Sequence, residues 1–249
     1  MGPEPDGEWL TPRGARHRTA VLLLGGSEGG LPDLLTAYVL AGHGYPVLAL
    51  AYFREPGLPK ALLRIPLEYF VGTLRWMRKR PEVDPGHIVT FGVSRGGEPS
   101  LLLASTFPHL VHGAVDYVGA DVAIGSPADV KQPAWTYRGK PLPVSIPVNR
   151  IAGPVFAVGG GADRLWPSGF YVLDLEQELR GHDRRDVMLV YPHAGHLVGL
   201  VVPDQPELTT TLDSIYGKLD LGGSPQADEA AREDSWPRLL HFLATLTAQ

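Results

Sequence analysis

The sequence contains no cysteine, and this absence excludes several kinds of chemistry at once. Disulfide bonds, thiolate nucleophiles and cysteine-ligated metal ions are all ruled out in a chain of 249 residues without a thiol. Long apolar runs are missing too, and no stretch has the length that crossing a bilayer requires. The first residues, MGPEPDGEWLTPRG, lack the basic and apolar regions of a signal peptide. We therefore expect a cytoplasmic protein without a membrane partner.

The sequence also lacks a strong excess of either positive or negative charge. Lysine and arginine together number 22, and aspartate and glutamate number 27, which gives a net charge of −5. The densest basic stretch, residues 75–80, is typical of the solvated end of a helix, so we expect no nucleic-acid partner. No set of His, Asp and Glu has convincing metal-ligand spacing, and residues 25–30 lack the Gly-Lys-Ser/Thr ending of a phosphate-binding loop. The sequence therefore predicts neither a metal nor a cofactor.

Hydrophobic residues, by contrast, make up 44% of the chain and recur in a regular rhythm. Short apolar runs typical of buried parallel strands occur at residues 19–24, 46–51, 88–91, 111–118, 154–158 and 187–191. Segments with helical periodicity separate these runs, and a last one covers residues 227–246. This alternation predicts an α/β fold with a mostly parallel, doubly wound sheet and helices on both faces. The length suits a single domain over residues 1–249, in which residues 1–18 form a leader.

Two stretches break the rhythm of strands and helices. Residues 119–150 contain five prolines, and residues 201–223 are also rich in loop-forming residues. Long irregular segments in compact domains are frequently lids or binding loops, so we expect both stretches to lie near the site and to build a substrate pocket. Trp135, Tyr137 and Trp166 are the candidate pocket residues, although aromatic residues in loops serve equally well as packing anchors.

The strongest motif is G-x-S-x-G at residues 92–96, between a predicted strand and a predicted helix. In a nucleophile elbow the serine sits on a strained strand-to-helix turn, and the two glycines let neighbouring backbone pass close to it. The motif alone is weak in a chain with 30 glycines, but the strand before it and the helix after it supply the required context. The sequence therefore predicts Ser94 as a nucleophile.

A serine nucleophile needs a base that takes its proton and an acid that orients the base. On this architecture the expected chain order is serine, acid, histidine. Asp163 follows the apolar run at 154–158, and His196 follows the run at 187–191. Because the carboxyl ends of parallel strands meet at one edge of the sheet, Asp163 and His196 are predicted to lie beside Ser94.

Each of these roles has competitors. His193 is the rival of His196, although it directly follows a proline and suits a loop cap. Asp121 also follows a strand and is the serious alternative to Asp163, while the weaker alternatives are Asp116, Asp174 and Asp186. Asp163 also suits a helix N-cap or an Asx-turn.

The oxyanion formed during acyl transfer needs two backbone donors. The N–H of Arg95, directly after the nucleophile, is one predicted donor, and the N–H of Ser27 in the turn after the first central strand is the other. Glu28 is the second choice for that donor and a candidate polar group of the substrate crevice. Glu98 lies one helical turn beyond Ser94, where it either supports the elbow from beneath or is simply an acid favoured by the helix dipole.

Eight motifs distributed over nearly the whole chain resemble one known family. They are LLLGGSEGGLPD at 22–33, HGYPVLALAYF at 43–53, LPKALLRIPLEYF at 58–70, VDPGHIVTFGVSRGGEPSLLLAS at 83–105, WTYRGKPLP at 135–143, GGGADRLWPS at 159–168, PHAGHLVG at 192–199 and GGSPQADEAAREDSWPRLLHFL at 222–243. With these motifs the chain resembles the catalytic domain of the acyl-CoA thioester hydrolase / bile-acid-CoA:amino acid N-acyltransferase family. That family lies within the α/β-hydrolase superfamily, close to the dienelactone hydrolases.

The resemblance implies a triad of Ser94, Asp163 and His196, thioester or ester substrates, and an acyl-enzyme intermediate. The amino acid acyltransferases of the family use cysteine as the nucleophile, so a serine favours transfer of the acyl group to water. Family members of the mammalian type carry an N-terminal β-sandwich domain, whereas only a short leader is expected before Thr19 here.

The expected function is therefore hydrolysis of a small-molecule acyl thioester, either acyl-CoA or carrier-bound, or of an ester. Hydrolysis of a small ester or lactone, and acyl transfer or cyclisation, are the alternatives within the enzyme class. A non-catalytic binding protein on a hydrolase fold is the alternative of another class, because a fold alone does not fix function.

Overall fold

The protein is described by a computed structural model that covers residues 4–12, 17–205, 210–214 and 217–246. The leader expected at 1–18 and the excursion expected at 201–223 lie partly outside the described residues. Among the helices that are described, none combines the length and the apolar character that a transmembrane span needs.

The elements follow one another in the alternating order that the sequence predicts. The strands are β1 (Gly7–Leu10), β2 (Ala20–Leu24), β3 (Val47–Leu50), β4 (Ile65–Pro66), β5 (Ile88–Val93), β6 (Gly113–Tyr117), β7 (Gly125–Ser126), β8 (Asp129–Pro133), β9 (Trp135–Tyr137), β10 (Lys140–Pro141), β11 (Val155–Gly160), β12 (Val187–Tyr191), β13 (Thr211–Ser214) and β14 (Gly217–Asp220). The helices are α1 (Leu34–Gly42), α2 (Leu67–Met77), α3 (Gly97–Thr106), α4 (Ser168–Glu178) and α5 (Pro225–Thr245). Short 3₁₀ helices cover Ser94–Gly96, Val148–Arg150 and His196–Leu200.

A seven-stranded sheet forms the centre of the fold, in the order β1-β3-β2-β5-β6-β11-β12. Strands β3 to β12 of this sheet pair in parallel, and only β1 at the edge runs antiparallel to its neighbour β3. In the register, Leu22 of β2 lies between Leu48 of β3 and Thr90 of β5. The mostly parallel sheet expected from the apolar runs is therefore confirmed.

Successive side chains of a central strand point to opposite faces, and here both faces are covered. In β2, Leu22 and Leu24 enter a core with α2, α3 and α4, whereas Val21 and Leu23 enter a second core with α1 and α5. All residues of β2 are buried, which explains why its sequence is continuously apolar instead of alternating. Helices on both faces of the sheet are thus confirmed, and the fold is that of an α/β hydrolase.

The stretch at 119–150 is less irregular than expected, because it contains four short strands. Strands β7 and β8 pair with each other, while β9 pairs in parallel with β4 and antiparallel with β10. This pairing places the ring of Trp135 against Tyr52 and Phe70, in the core between the sheet and α2. The pairing partner β4 is more than 60 residues away in the chain, and local sequence patterns carry no signal for such a contact.

Candidate active site

Ser94 lies at the sharp turn between β5 and α3, with a backbone φ of +53°. This is the left-handed region, which costs energy for any residue other than glycine and is typical of a nucleophile elbow. Both glycines of the motif are required because neighbouring backbone atoms lie too close to leave room for a side chain. A Cβ on Gly92 would lie 2.0 Å from the carbonyl oxygen of Gly96, and one on Gly96 would lie 2.3 Å from that of Leu24. Packing on both sides of the turn thus holds Ser94 in its strained conformation.

The structure brings Ser94, His196 and Asp163 into one hydrogen-bonded row. The Nε2 atom of His196 is 3.0 Å from Oγ of Ser94, and its Nδ1 atom is 2.8 Å from Oδ2 of Asp163. A carboxylate can only accept a hydrogen bond, so the proton lies on Nδ1, and this N–H donates a hydrogen bond to Asp163. Nε2 is then free to accept a hydrogen bond from the Ser94 hydroxyl. Each of the three residues follows a different parallel strand of the sheet, at the carboxyl edge where the sequence analysis expected them.

Asp163 is held in place by three further donors. Its Oδ1 atom accepts hydrogen bonds from the backbone N–H groups of Leu165 and Trp166, at 2.9 and 3.3 Å. Its Oδ2 atom accepts the hydroxyl of Ser168 at 2.6 Å in addition to the imidazole of His196. Sequence reasoning missed Ser168, because a serine at the start of a helix is usually an ordinary cap.

The competing residues lie in other surroundings. His193 is exposed on the turn after β12. Asp121 faces Asp174, and its burial, followed by the repulsion from Asp174, raises the pKa of Asp121 to about 7. Asp116 is buried next to the start of α3, and burial raises its pKa well above the usual range. Asp186 accepts a hydrogen bond from the first N–H of β11. Within the described residues, none of these groups bonds to Ser94.

The predicted oxyanion donors are the backbone N–H groups of Arg95 and Ser27. Arg95 is the second residue of the 3₁₀ helix that starts at Ser94, and the first N–H groups of a helix have no acceptor within it. Ser27 and Glu28 lie in the turn after β2 and line the same cavity as Ser94. The side chain of Glu28, which also lines the cavity, accepts a hydrogen bond from the N–H of Gly26 at 2.7 Å. A role of Glu28 in substrate binding stays a prediction.

Glu98 holds the elbow from beneath through three contacts. Its carboxylate pairs with Nε of Arg95 at 2.9 Å, and it accepts the indole N–H of Trp135 at 2.6 Å and the N–H of Ile124 at 3.1 Å. The Glu98 side chain is completely buried, and burial raises the pKa of this carboxyl to about 7 against the lowering effect of Arg95 and of both hydrogen bonds. Glu98 therefore links Arg95 to the 119–150 stretch.

Replacing Glu98 by glutamine should flatten the pH dependence of stability. Burial raises the pKa of Glu98 to about 7 in the folded state, whereas the ordinary pKa of a glutamate side chain, which applies to the unfolded chain, is 4.5. Because the native state binds more protons in this window, the free energy of unfolding contributed by Glu98 falls by about 3 kcal/mol as the pH rises from 4.5 to 7. Urea unfolding of wild type and Glu98→Gln at pH 5 and pH 8 measures this difference. Glu176→Gln on the exposed side of α4 is the matched control, and equal slopes for all three proteins contradict the prediction.

A cavity of about 660 Å³ opens beside Ser94 and His196. Most of its wall is apolar, and the leucine and valine side chains that line it are Leu23, Val93, Leu165, Leu197, Leu200, Leu212, Leu219 and Leu221. The hairpin of β13 and β14 forms one side, so the described part of the 201–223 stretch contributes to the wall. Residues 119–150 supply none of its lining, and their contact with the site runs through Arg95 and Glu98 instead.

None of the three aromatic pocket candidates lines this cavity. Trp135 is only 1% exposed, so a substrate cannot reach it, and its prediction as a pocket residue was wrong. Tyr137 packs edge-on against Phe107 and lines a separate cavity, which also makes its prediction wrong. Both residues belong to β9, whose pairing with β4 turns them toward α2 and α3. Trp135 and Tyr137 are therefore packing anchors, which the sequence analysis had named as the other common role of aromatic residues in loops.

Trp166 lies beside the imidazole and is absent from the cavity wall. Its ring meets the ring of His196 edge-on, with the centroids 5.9 Å apart, and its indole N–H donates to the carbonyl of Val118 at 2.7 Å. The guanidinium of Arg95 lies 5.9 Å from the centroid of the same indole. Trp166 therefore packs between Arg95 and His196, and a role as a substrate-binding residue stays a prediction.

One group of acids in the described ranges has its oxygen atoms close enough for a metal ion. Asp204, Glu229 and Glu233 place ligand atoms within 4.8 Å of one another. Glu229 is already paired with Arg232, and none of the three lines the cavity beside Ser94. This group of acids is therefore separate from the cavity beside Ser94.

Comparison with known proteins shows the family to which the chain is similar. The family model described as "BAAT / Acyl-CoA thioester hydrolase C terminal" matches residues 65–142 and 135–249. The mitochondrial acyl-coenzyme A thioesterase 2 of Mus musculus is 30% identical over 248 residues, which cover 89% of this chain and 54% of the mouse protein. Acyl-coenzyme A thioesterase 1 of Homo sapiens is 29% identical over 246 residues, with coverage of 87% and 57%. The chain thus spans about half the length of the curated relatives it matches.

Solved structures share the fold at lower identity. The dienelactone hydrolase of Anabaena variabilis superimposes with a TM-score of 0.55 at 18% identity, over 94% of this chain and 90% of the other. The acylaminoacyl peptidase of Pyrococcus horikoshii superimposes with a TM-score of 0.64 at 14% identity, over 98% of this chain and 40% of the peptidase. Both comparisons identify the α/β-hydrolase fold.

Proposed function

The chain belongs to the BAAT / acyl-CoA thioester hydrolase C-terminal family, and from this premise we propose that it hydrolyses acyl thioesters or esters through an acyl-enzyme on Ser94. The observation that carries the proposal is the hydrogen-bonded row from Ser94 through His196 to Asp163, at 3.0 and 2.8 Å. A cytoplasmic location, expected from the sequence, is part of the same proposal.

The proposed reaction proceeds in two halves. Ser94 Oγ attacks the acyl carbonyl while His196 Nε2 takes its proton, and Asp163 keeps the imidazole in the required tautomer. The N–H groups of Arg95 and Ser27 stabilise the oxyanion, and the imidazolium returns its proton to the leaving thiolate or alkoxide. Water then enters, His196 takes a proton from it, and hydroxide attack on the acyl-Ser94 ester releases the free acid. The nucleophile is restored when the proton passes back to Ser94.

The cavity beside Ser94 supports an apolar acyl group as the part of the substrate that is bound. Leucine side chains make up much of its wall, and its volume of about 660 Å³ lies within the range of small-molecule pockets. Burial of an acyl chain there contributes about 0.8 kcal/mol for each methylene group removed from water. The two mammalian relatives are named for acyl-coenzyme A, which supports a coenzyme A thioester as the leading substrate.

A substrate panel tests this proposal. Purified protein is assayed with acyl-CoAs from two to sixteen carbons, with p-nitrophenyl esters of the same acids and with a small lactone. We expect acyl-CoA hydrolysis, with kcat/KM rising with chain length until the cavity is filled. Turnover of the aryl esters or the lactone alone supports the small-ester alternative, and product that forms only with an added alcohol or amine supports acyl transfer. Failure of a fluorophosphonate to label Ser94 contradicts the proposal altogether.

A further inference from the structure

Helix α5 carries two charged side chains on its buried face. Asp228 is 1% exposed and Arg232 is 3% exposed, and they lie one helical turn apart. They continue the stripe of buried residues that runs along the helix through Trp236, Leu239 and Phe242. Charged side chains are rarely buried so completely unless other groups pair with them. The contacts of Asp228 and Arg232 therefore need to be identified.

Both side chains hold the backbone on either side of His196. Oδ1 of Asp228 accepts the N–H of Gly195 at 2.5 Å, and Nη1 of Arg232 donates to the carbonyl of Leu197 at 2.9 Å. The N–H of His196 itself donates to the carbonyl of Leu221 at 2.8 Å. The backbone is thus fixed directly before, at and directly after His196, and α5 provides two of the three contacts.

The charge of Asp228 exceeds what this backbone contact needs. A neutral asparagine in the same place could accept the same hydrogen bond from Gly195 through its side-chain oxygen. The second carboxylate oxygen, Oδ2, is buried and has no hydrogen-bond partner within the described residues. Burial raises the pKa of Asp228, while the N–H of Gly195, Arg232 and His196 lower it and Asp163 raises it. The carboxylate therefore interacts electrostatically with the imidazole and with its acid partner.

We propose that Asp228 is a positioning residue for His196, and that its carboxylate also favours the imidazolium that forms when Ser94 attacks. The charged groups that face Asp228 are Arg232 on its own helix and Asp163 and His196 on the loops packed against it. Arg232 is in turn paired with Glu229. This inference rests on the proposed function, because it assumes that His196 accepts the Ser94 proton.

The test is the pH profile of Asp228→Asn, which keeps the shape and the hydrogen-bond acceptor but removes the charge. We expect the acid limb of kcat/KM to move to lower pH by about 0.7 unit and kcat on the plateau to fall roughly fivefold, as for loss of a partly screened negative charge near the imidazole. Asp228→Ala also leaves the N–H of Gly195 without its hydrogen-bond acceptor, so this variant should lower kcat further while KM changes little. Asp234→Asn on the same helix, an exposed partner of Arg238, is the matched control and should leave the profile unchanged.

A second readout separates this inference from the proposed function. The rate at which a fluorophosphonate labels Ser94 requires an unprotonated base but no particular substrate, so its pH dependence should shift in Asp228→Asn in the same way. Labelling of wild type and Asp228→Asn with superimposable pH profiles overturns the role of Asp228 and leaves the proposed function standing. Absence of labelling in the wild type overturns both. Thermal unfolding of each variant shows that the compared proteins are folded.

Discussion

Replacing Ser94 by alanine should abolish hydrolysis of every substrate that the wild-type protein turns over, with a loss on the order of 10⁶-fold in kcat. The substitution removes only the hydroxyl group, whose Oγ atom lies 3.0 Å from His196 Nε2. Without it no acyl-enzyme forms, and only binding and the oxyanion donors remain to assist attack by water. The fold should be retained, because alanine and serine tolerate the φ of +53° about equally.

Ser27→Ala is the matched control for this loss. Ser27 and Ser94 line the same cavity, but the proposed role of Ser27 belongs to its backbone N–H, which alanine keeps. We therefore expect the rate of Ser27→Ala to stay within a few-fold of wild type in the same assay. A Ser94→Ala protein that is folded and still active rejects the acyl-enzyme mechanism. A large loss in Ser27→Ala instead assigns the function of that residue to its hydroxyl.

The geometry of the candidate site was predictable because it depends on local sequence patterns. A short apolar run followed by glycines marks the end of a parallel strand, and three such ends carry Ser94, Asp163 and His196. Parallel strands bring all their carboxyl ends to one edge, so residues more than 30 positions apart become neighbours without any further signal. The same reasoning predicted the fold class, since continuous apolar runs are typical of strands covered on both faces.

The residues that sequence reasoning misjudged depend on long-range packing. Trp135 looked like a loop aromatic, and only the pairing of β9 with β4 shows that it belongs to the core. The sequence analysis singled out neither Asp228 nor Arg232 within the predicted helix at 227–246. The one signal that could have found them is their spacing, because counting back in turns from the apolar Leu239 places both on the buried stripe. Extending the buried stripe to these two charged positions would have predicted that Asp228 and Arg232 are buried and contact other parts of the chain.

The second large loss of activity is expected for substitution of His196. His193, three positions earlier in the chain, provides a comparison that makes the test selective. His196→Ala removes the group that takes the Ser94 proton, so kcat should fall on the order of 10⁶-fold, about as much as for Ser94→Ala. Because serine and histidine act as one unit, the double variant should be no slower than either single variant. Steady-state rates of the three proteins, measured with one substrate at one pH, provide this comparison.

His193→Ala should behave in the opposite way, although both histidines follow β12 on the same loop. His193 is exposed, whereas the side chain of His196 is only 11% exposed and bridges Ser94 and Asp163. Loss of an exposed side chain without such contacts should change kcat less than twofold and stability by no more than about 0.5 kcal/mol. If His193→Ala is the inactive variant and His196→Ala is active, the base has been misassigned. In that case the loop must rearrange before Ser94 reacts, because the present geometry offers Ser94 no other imidazole within the described residues.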